Sequence, residues 1–432
     1  MYIYRELQKK IKFYFNENSP CGLILSGIVG CGKTTMIEAL IEDWKLQFEI
    51  FAFSGDSSQF RQSVREDSEY LYKFVKARTS KPSLIFVDEV QKCEELFDAI
   101  KIAFDKGKIS FIISGSNPAY LATIARKRLQ RRADFLILGP ISLREIIFHQ
   151  SKLTKEDFFT FENLLWPLNN SKSLIEAELP KVSLTEDIET LSKEYFIFGG
   201  LPLVLLTENQ EQKLIHIKMV VERGFELMYH ENNTLADIIR VELAKLHSLE
   251  FTYKNILEKT RVKSREIINK IIDELANNGY LVRKKPLLFE QNRTSYLSVF
   301  SYIDPGIVTY LTGEDEWGTT AGARVEGYVH ERLSLLIANV PFKSDLHYFK
   351  PYTLDVNDKV KYQKGEVDFV FQHGKRIIPI EVKASFELTR LDLDPLKQFI
   401  NKNKLPYGIV VYGGAPYFDK QNKILFWPFW LI

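Results

Sequence analysis

Two stretches of the chain have the residue types and spacing to do chemistry. The first is GLILSGIVGCGKTTM, where Gly27, Gly32, Lys33 and Thr34 fit GxxxxGK[ST]. An apolar run precedes it and a helical pattern follows, the context in which such a loop holds phosphate. Gly27, Gly30 and Gly32 let backbone N–H groups wrap the phosphates, and the following helix N-terminus favours negative charge. Lys33 would reach the β- and γ-phosphates of ATP, and Thr34, with Thr35 beside it, would open the helix and ligate Mg²⁺. SLIFVDEVQK adds an acidic pair at a strand end: Asp88 to hold Mg²⁺ through water, Glu89 to activate the attacking water. A helix cap is the plainer reading of that pair. In FIISGSN, Ser114, Ser116 or Asn117 is placed to touch the γ-phosphate or the water. Turn chemistry explains these three equally well, and the sequence does not choose among them.

The second stretch is KGEVDFVFQHGKRIIPIEVKAS, residues 364–385. Two apolar strands meet at His-Gly, yet Glu366, Asp368, Glu381 and Lys383 interrupt them. Strand side chains alternate faces, so these four share one face. If QHGK centres the turn, Glu366 faces Glu381 and Asp368 faces Pro379. Like charges directly opposite are destabilising, and Mg²⁺ or Mn²⁺ would relieve them, because hard carboxylate oxygens suit those ions. GARVEGYVHERL reads as a helix with Val325, Val329, Leu333 and Leu336 on its buried stripe. Glu326 falls at the edge of that stripe and aims toward the sheet, while Glu331 points away. Helix-Glu, strand-Asp and Glu-x-Lys together resemble the PD-(D/E)xK nuclease arrangement, and the roles that follow are what that resemblance implies. Asp368 and Glu381 would bind the metal, Glu326 would support it, and Lys383 would position the attacking water.

These residues need elements to hold them. Residues 1–155 alternate the apolar runs GLILSG, FEIFAFSG, PSLIFVDE, ISFIISGS and ADFLILGP with helical patterns, which predicts a parallel sheet covered on both faces. Residues 156–235 read as mostly helical, interrupted at FGGLP. Residues 236–312 read as helix, turn and longer helix, with Ile267, Ile268, Ile271, Ile272 and Leu275 on an apolar stripe, followed by a strand pair around Tyr280 to Tyr296. Lys263, Arg265 and Lys270 decorate the helix that would enter a DNA groove; packing between domains is the alternative use of such a unit. Residues 313–432 return to mixed α/β. In ARKRLQRRADF, the basic run 126–132 is a solvated face, a phosphate contact, or the seat of an arginine finger, Arg132, for a neighbouring subunit.

The bulk numbers narrow the function. A chain of 432 residues exceeds one ordinary core, and a net charge of +2 leaves nucleic-acid binding to a local patch. Cys21, Cys31 and Cys93 lack disulfide or metal-site spacing, which fits a reducing, cytoplasmic home. No signal peptide is read at the N-terminus, and no apolar run reaches the roughly 18 residues a membrane helix needs.

RELQKKI, GIVGCGKTT, IFVDEVQK, IISGSN and RADFLILGPISLREI follow one another as in a bacterial and archaeal family of AAA+ ATPases, which this chain resembles over most of its length. YFIFGGLPLVL, YLVRKKPLL, YIDPGIVTYLTG and GEVDF…PIEVK continue the similarity more loosely. Members typically end in a restriction-endonuclease-like domain of uncharacterised function. The resemblance implies an ATPase core, a helical lid, a winged-helix unit and that nuclease-like fold. It also carries an arginine finger to Arg132, although Arg131 stands where the family has glycine. GGLPLVL is similar to the GxP motif of related signalling ATPases, which would put Pro202 against adenine; a helix-breaking turn is the other reading. The resulting expectation is an α/β multidomain ATPase acting on DNA, with subunits in a ring if Arg132 acts in trans. The rivals are a nucleotide-regulated signalling or scaffold protein whose last domain only binds, and a monomeric ATPase switch.

Overall fold

The computed structural model describes residues 2–15, 20–151, 160–166, 179–228, 233–251, 253–260, 262, 264–287, 298–354, 360–362, 365–387 and 392–432. By packing, the chain divides into two units. One comprises 1–141, 220–227 and 273–280, and the other holds the remainder. The helix Leu143–Ser151, assigned by its sequence to the ATPase core, therefore packs within the second unit. The divisions expected at 155, 235 and 312 do not coincide with this packing.

The first unit is built on strands β1 (Gly22–Ser26), β2 (Glu49–Ser54), β3 (Ser83–Asp88), β4 (Ser110–Gly115) and β5 (Asp134–Ile137). They form a parallel sheet in the order β2-β3-β4-β1-β5. β1, β3 and β4 are covered on both faces, as their unbroken apolar runs predict. β2 differs: it is an edge strand whose residues are half-buried or exposed. β4 lies between β1 and β3, so the ends of all three strands converge beside the loop after β1. Ile85, Ile113, Leu96, Phe97 and Leu121 form part of the core over this sheet.

The second unit carries β6 (Glu250–Phe251), β7 (Leu281–Pro286), β8 (Ser298–Tyr302), β9 (Asp345–Phe349), β10 (Tyr352–Leu354), β11 (Val360–Tyr362), β12 (Val367–His373), β13 (Arg376–Val382), β14 (Gly408–Tyr412), β15 (Tyr417–Asp419) and β16 (Ile424–Pro428). β10 and β11 pair with each other; the other nine form one mixed sheet, β15-β16-β14-β13-β12-β9-β7-β8-β6. β9, β12 and β13 run antiparallel, whereas β13, β14 and β16 run parallel. The helix Ala321–Ala338 precedes β9, and Asp394–Lys402 connects β13 to β14. The strand pair expected around Tyr280 to Tyr296 is β7 and β8, with β8 beginning beyond Tyr296. Residues 288–297 and Lys263 lie outside the described residues. Ile267, placed on the apolar stripe by sequence, is exposed, while Ile268, Ile271 and Ile272 are buried.

Candidate functional site

The loop after β1 is shaped by its glycines. Gly30 and Gly32 adopt φ 77° and 91°, which side chains with a Cβ rarely take. A Cβ at Gly27 would stand 2.2 Å from the Leu138 carbonyl oxygen. The helix Lys33–Trp44 starts directly on the loop, with Gly32 as its N-cap and Thr34 and Thr35 in its first turn. Lys33 is nearly buried, its Nζ donating to the carbonyls of Gly27 (2.9 Å) and Ile28 (3.0 Å). Arg5 fixes the loop from behind: its guanidinium donates to the carbonyls of Cys31 (3.0 Å), Gly139 (2.7 Å) and Pro140 (3.1 Å). RELQKKI by itself carries no signal for this role of Arg5, because the carbonyls of Gly139 and Pro140 are distant in sequence.

The strand ends bring the acids to this loop. Thr34 Oγ1 donates to Asp88 Oδ2 at 2.7 Å, and Ser114 Oγ donates to the other oxygen of Asp88. The two groups expected to hold Mg²⁺ therefore touch, and a hydroxyl beside a carboxylate is a donor set that suits that ion. Glu89 occupies the left-handed region at φ 51°, and its Oε2 accepts from Gln91 Nε2. Ser116 Oγ stands 3.5 Å from the same oxygen and accepts from Gln91 Nε2 at 3.1 Å. The three residues of FIISGSN thus have separate partners. Ser114 touches Asp88, Ser116 faces Glu89, and Asn117 caps the helix Pro118–Arg128 by accepting from the Tyr120 N–H. Gln91 was not anticipated; a glutamine two residues after the acid carries no signal of its own.

Arg132 precedes β5, and Asp134 stands beside Leu23 at the start of β1. It therefore lies at the end of the sheet away from the loop of its own chain. Asp105 holds its guanidinium through two bonds, Nε to Oδ1 (2.7 Å) and Nη2 to Oδ2 (2.9 Å). In the same run, Arg128 pairs with Glu94 and Asp98. Pro202 opens the short helix Pro202–Leu205 in the second unit.

The hairpin β12–β13 carries the second constellation, in a register that differs from expectation. His373 pairs with Arg376 across a loop of Gly374, at φ 58°, and Lys375. Gly374 is the first residue of the turn rather than its second, so the pairing moves by two. Continuing the ladder from Phe369↔Ile380 sets Asp368, not Glu366, across from Glu381. A shift of two leaves every side chain on its face, so the acids and Lys383 still share one. Asp368 Oδ2 accepts from the Val382 N–H at 2.7 Å, and Glu381 Oε1 accepts from Lys383 Nζ at 2.6 Å. The other oxygen of Glu381 is buried with no hydrogen-bond partner among the described residues.

Glu326 arrives from the helix Ala321–Ala338, whose Val325, Val329 and Leu333 are buried and whose Leu336 is half-buried. Glu331, expected to point away, is buried too and is paired with Arg332. Glu326 Oε1 accepts from Lys284 Nζ at 2.6 Å, and the same ammonium donates to the Asp368 carbonyl at 2.9 Å. Lys284 comes from β7 and is only 1% exposed, with Phe369's ring 4.0 Å from its ammonium. Alternation along β7 was the readable clue: Arg283 and Lys285 are exposed, so Lys284 faces inward.

Burial dominates the electrostatics here. It raises Glu381 to about 8, with Asp368 opposite adding to the rise and Lys383 opposing it. It raises Glu326 to about 7 against the pull of Lys284. Asp368 and Glu366 are raised for the same first reason. For Lys383, burial works against the charged form, but Glu381, with Asp368 and Asp392 adding, more than offsets it, so its pKa is raised. As placed, no group of three or more His, Cys, Asp or Glu among the described residues is arranged to hold a metal ion. The pair Asp368–Glu381, with its orphaned carboxylate oxygen, fits a hard cation; Glu326, turned to Lys284, is not part of that set.

Two parts of the chain match known domain models. Residues 21–147 match the AAA domain model, and the parallel five-stranded sheet fits a P-loop ATPase core, so the chain carries an AAA-like nucleotide-binding domain. Residues 321–432 match a domain of unknown function, DUF4143. The chain is also similar to an uncharacterized protein of Methanocaldococcus jannaschii, 24% identical over 213 residues, which is 48% of this chain and 44% of that protein. The matched stretch thus spans less than half the length of that relative.

Proposed function

We propose that this chain binds and hydrolyses ATP and acts on DNA, with the ATPase domain governing a nuclease-like C-terminal domain. For ATP turnover, Lys33 and the backbone of Gly27–Gly32 would bind the phosphates, and Thr34 and Asp88 would hold Mg²⁺, which neutralises phosphate charge. Glu89, oriented by Gln91 and Ser116, would take the proton of the attacking water.

The observation that carries the DNA reading is the meeting of Glu326, Asp368, Glu381 and Lys383 at one place on the second sheet. Its scaffold adds support: a helix, the antiparallel strands β9, β12 and β13, a helix, and β14 parallel to β13, the order expected of a restriction-endonuclease-like core. Asp368 and Glu381 would hold Mg²⁺ or Mn²⁺, and the Lys383 ammonium would orient a water. The order helix Asn233–Lys245, β6, helix Tyr253–Thr260, helix Arg265–Asn277, β7, β8 supports a winged-helix unit that helps grip DNA. Cys21, Cys31 and Cys93 form no disulfide among the described residues, which fits a reducing cytoplasm. Among the described residues no helix is long and apolar enough to cross a membrane.

The pairing of Glu326 with Lys284 favours one rival, a nucleotide-regulated protein whose C-terminal domain binds without cleaving. Plasmid conversion in Mg²⁺ or Mn²⁺ separates the two. The proposal predicts nicked or linear product from wild type and none from Asp368→Asn. Equal breakdown by both proteins would sink the nuclease reading. Plasmid binding with no product from either would favour the rival.

A further inference from the structure

Lys284 does something at this site that the nuclease-like arrangement does not require. Four acids, Glu326, Glu366, Asp368 and Glu381, are set against three lysines, Lys284, Lys350 and Lys383. Lys350 sits at the rim, 2.8 Å from Glu250 and 3.9 Å from Glu366. Lys383 comes from the hairpin itself. Lys284 comes from β7, a strand outside the hairpin and the helix that carry the acids, and it is the most deeply buried of the three. Its ammonium has a carboxylate and a carbonyl as partners and an aromatic face beside it, all fixed by backbone elements. An ammonium so held competes directly with a divalent cation for the oxygens of Glu326.

We propose that Lys284 is an internal counter-cation that keeps Glu326 out of the metal-binding set, so that a cation binds through Asp368 and Glu381 alone while Lys284 stays in place. Lys284 is thus a positioning residue acting through Glu326. This rests on the reading of Asp368 and Glu381 as metal ligands, and its test is built to separate the two. A purely structural ion pair would leave metal affinity untouched when both partners are removed or when either is. A withholding lysine would not, because its removal returns a charged oxygen ligand to the site.

The test is Mn²⁺ binding to the full, nucleotide-free chain, measured by titration calorimetry and by the shift in melting temperature. The relevant signal is the part that Asp368→Asn abolishes. Glu326→Gln alone should lower that affinity far less than Asp368→Asn does, because Glu326 is not a ligand while Lys284 holds it. Lys284→Met should raise it by roughly tenfold, since ligand charge count sets affinity for hard cations. Glu326→Gln in the Lys284→Met background should remove the gain. Lys284→Met leaves a buried carboxylate unpaired, so its fold is checked by circular dichroism. If it fails to fold, Lys284→Gln, which leaves Glu326 a hydrogen-bond donor but removes the charge, takes its place and should show the same gain; no gain there overturns the proposal. Two results overturn the proposal: a fall in affinity for Glu326→Gln as large as that for Asp368→Asn, or no gain in folded Lys284→Met. If neither Asp368→Asn nor Glu381→Gln lowers Mn²⁺ binding, the metal-site reading itself fails instead.

Discussion

Glu89 illustrates how much depends on single side chains. Its backbone is held at φ 51°, a region costly for any residue with a Cβ, at the point where β3 ends beside the phosphate loop. That geometry turns its carboxylate toward Gln91 and Ser116 rather than toward Asp88. Glu89→Gln should retain ATP binding and lose about 10²–10⁴ in turnover, the usual worth of a general base. Phosphate release measured beside nucleotide affinity checks this; undiminished turnover would rule out the assigned base. Lys33→Ala should instead lose nucleotide binding itself, read directly by titration with a fluorescent ATP analogue.

At the scale of elements, close packing sets the sensitivities. Gly199 ends the helix Glu186–Phe198 at φ 80°, and a Cβ there would lie 1.9 Å from Asp304 Oδ1. That carboxylate accepts from the Gly200 N–H (2.7 Å) and the Gly306 N–H (2.8 Å) and cannot give way. Gly199→Ala should therefore destabilise the second unit by about 2 kcal/mol or more, seen as a lower denaturation midpoint. His247 gives a pH dependence. Burial, with a smaller push from Arg324, lowers its pKa to about 3, and its Nδ1 accepts the Tyr302 N–H at 3.1 Å. A folded pKa below the unfolded value of about 6.5 means that protons favour the unfolded chain. The contribution is complete above about pH 6.5 and is lost toward pH 3, at up to about 1.4 kcal/mol per pH unit. Asp304, raised to about 7 by burial, acts in the opposite sense, its contribution lost as pH rises through 7. The measurement is thus the difference in denaturation midpoint between wild type and His247→Asn, which should narrow as pH falls from 7 to 5. A difference independent of pH would contradict the neutral buried imidazole.

The same elements explain what could be read in advance. The phosphate loop and β1, β3 and β4 were legible because unbroken apolar runs and GxxxxGK[ST] are local signals. The shared face of Asp368, Glu381 and Lys383 was legible because period two survives a register error. The register itself was not, because it depended on whether His373 or Gly374 began the turn. Lys284 was missed because its partners come from the helix bearing Glu326 and the strand bearing Asp368, both distant in sequence. Arg5 was missed for the same reason.

The whole molecule joins an AAA-like domain to a carboxylate–lysine site in a second unit. Asp105 holds Arg132 at the end of the sheet away from its own phosphate loop, so an arginine finger at this position would act on a neighbouring chain. Arg132→Ala should leave turnover within about twofold where chains are dispersed and lower it where they associate, with stability changed by less than about 1 kcal/mol. Turnover plotted against protein concentration, beside a mass measurement with and without nucleotide, checks this; an equal loss at every concentration would contradict it. In the proposed function, ATP turnover governs DNA breakage at the Asp368–Glu381–Lys383 site. The most direct test is plasmid conversion in excess Mg²⁺, with ATP or ADP, by wild type, Lys33→Ala and Lys383→Ala. The account predicts breakage by wild type that changes between ATP and ADP, loss of that difference in Lys33→Ala, and no breakage by Lys383→Ala. Plasmid breakdown unchanged in both variants would contradict it.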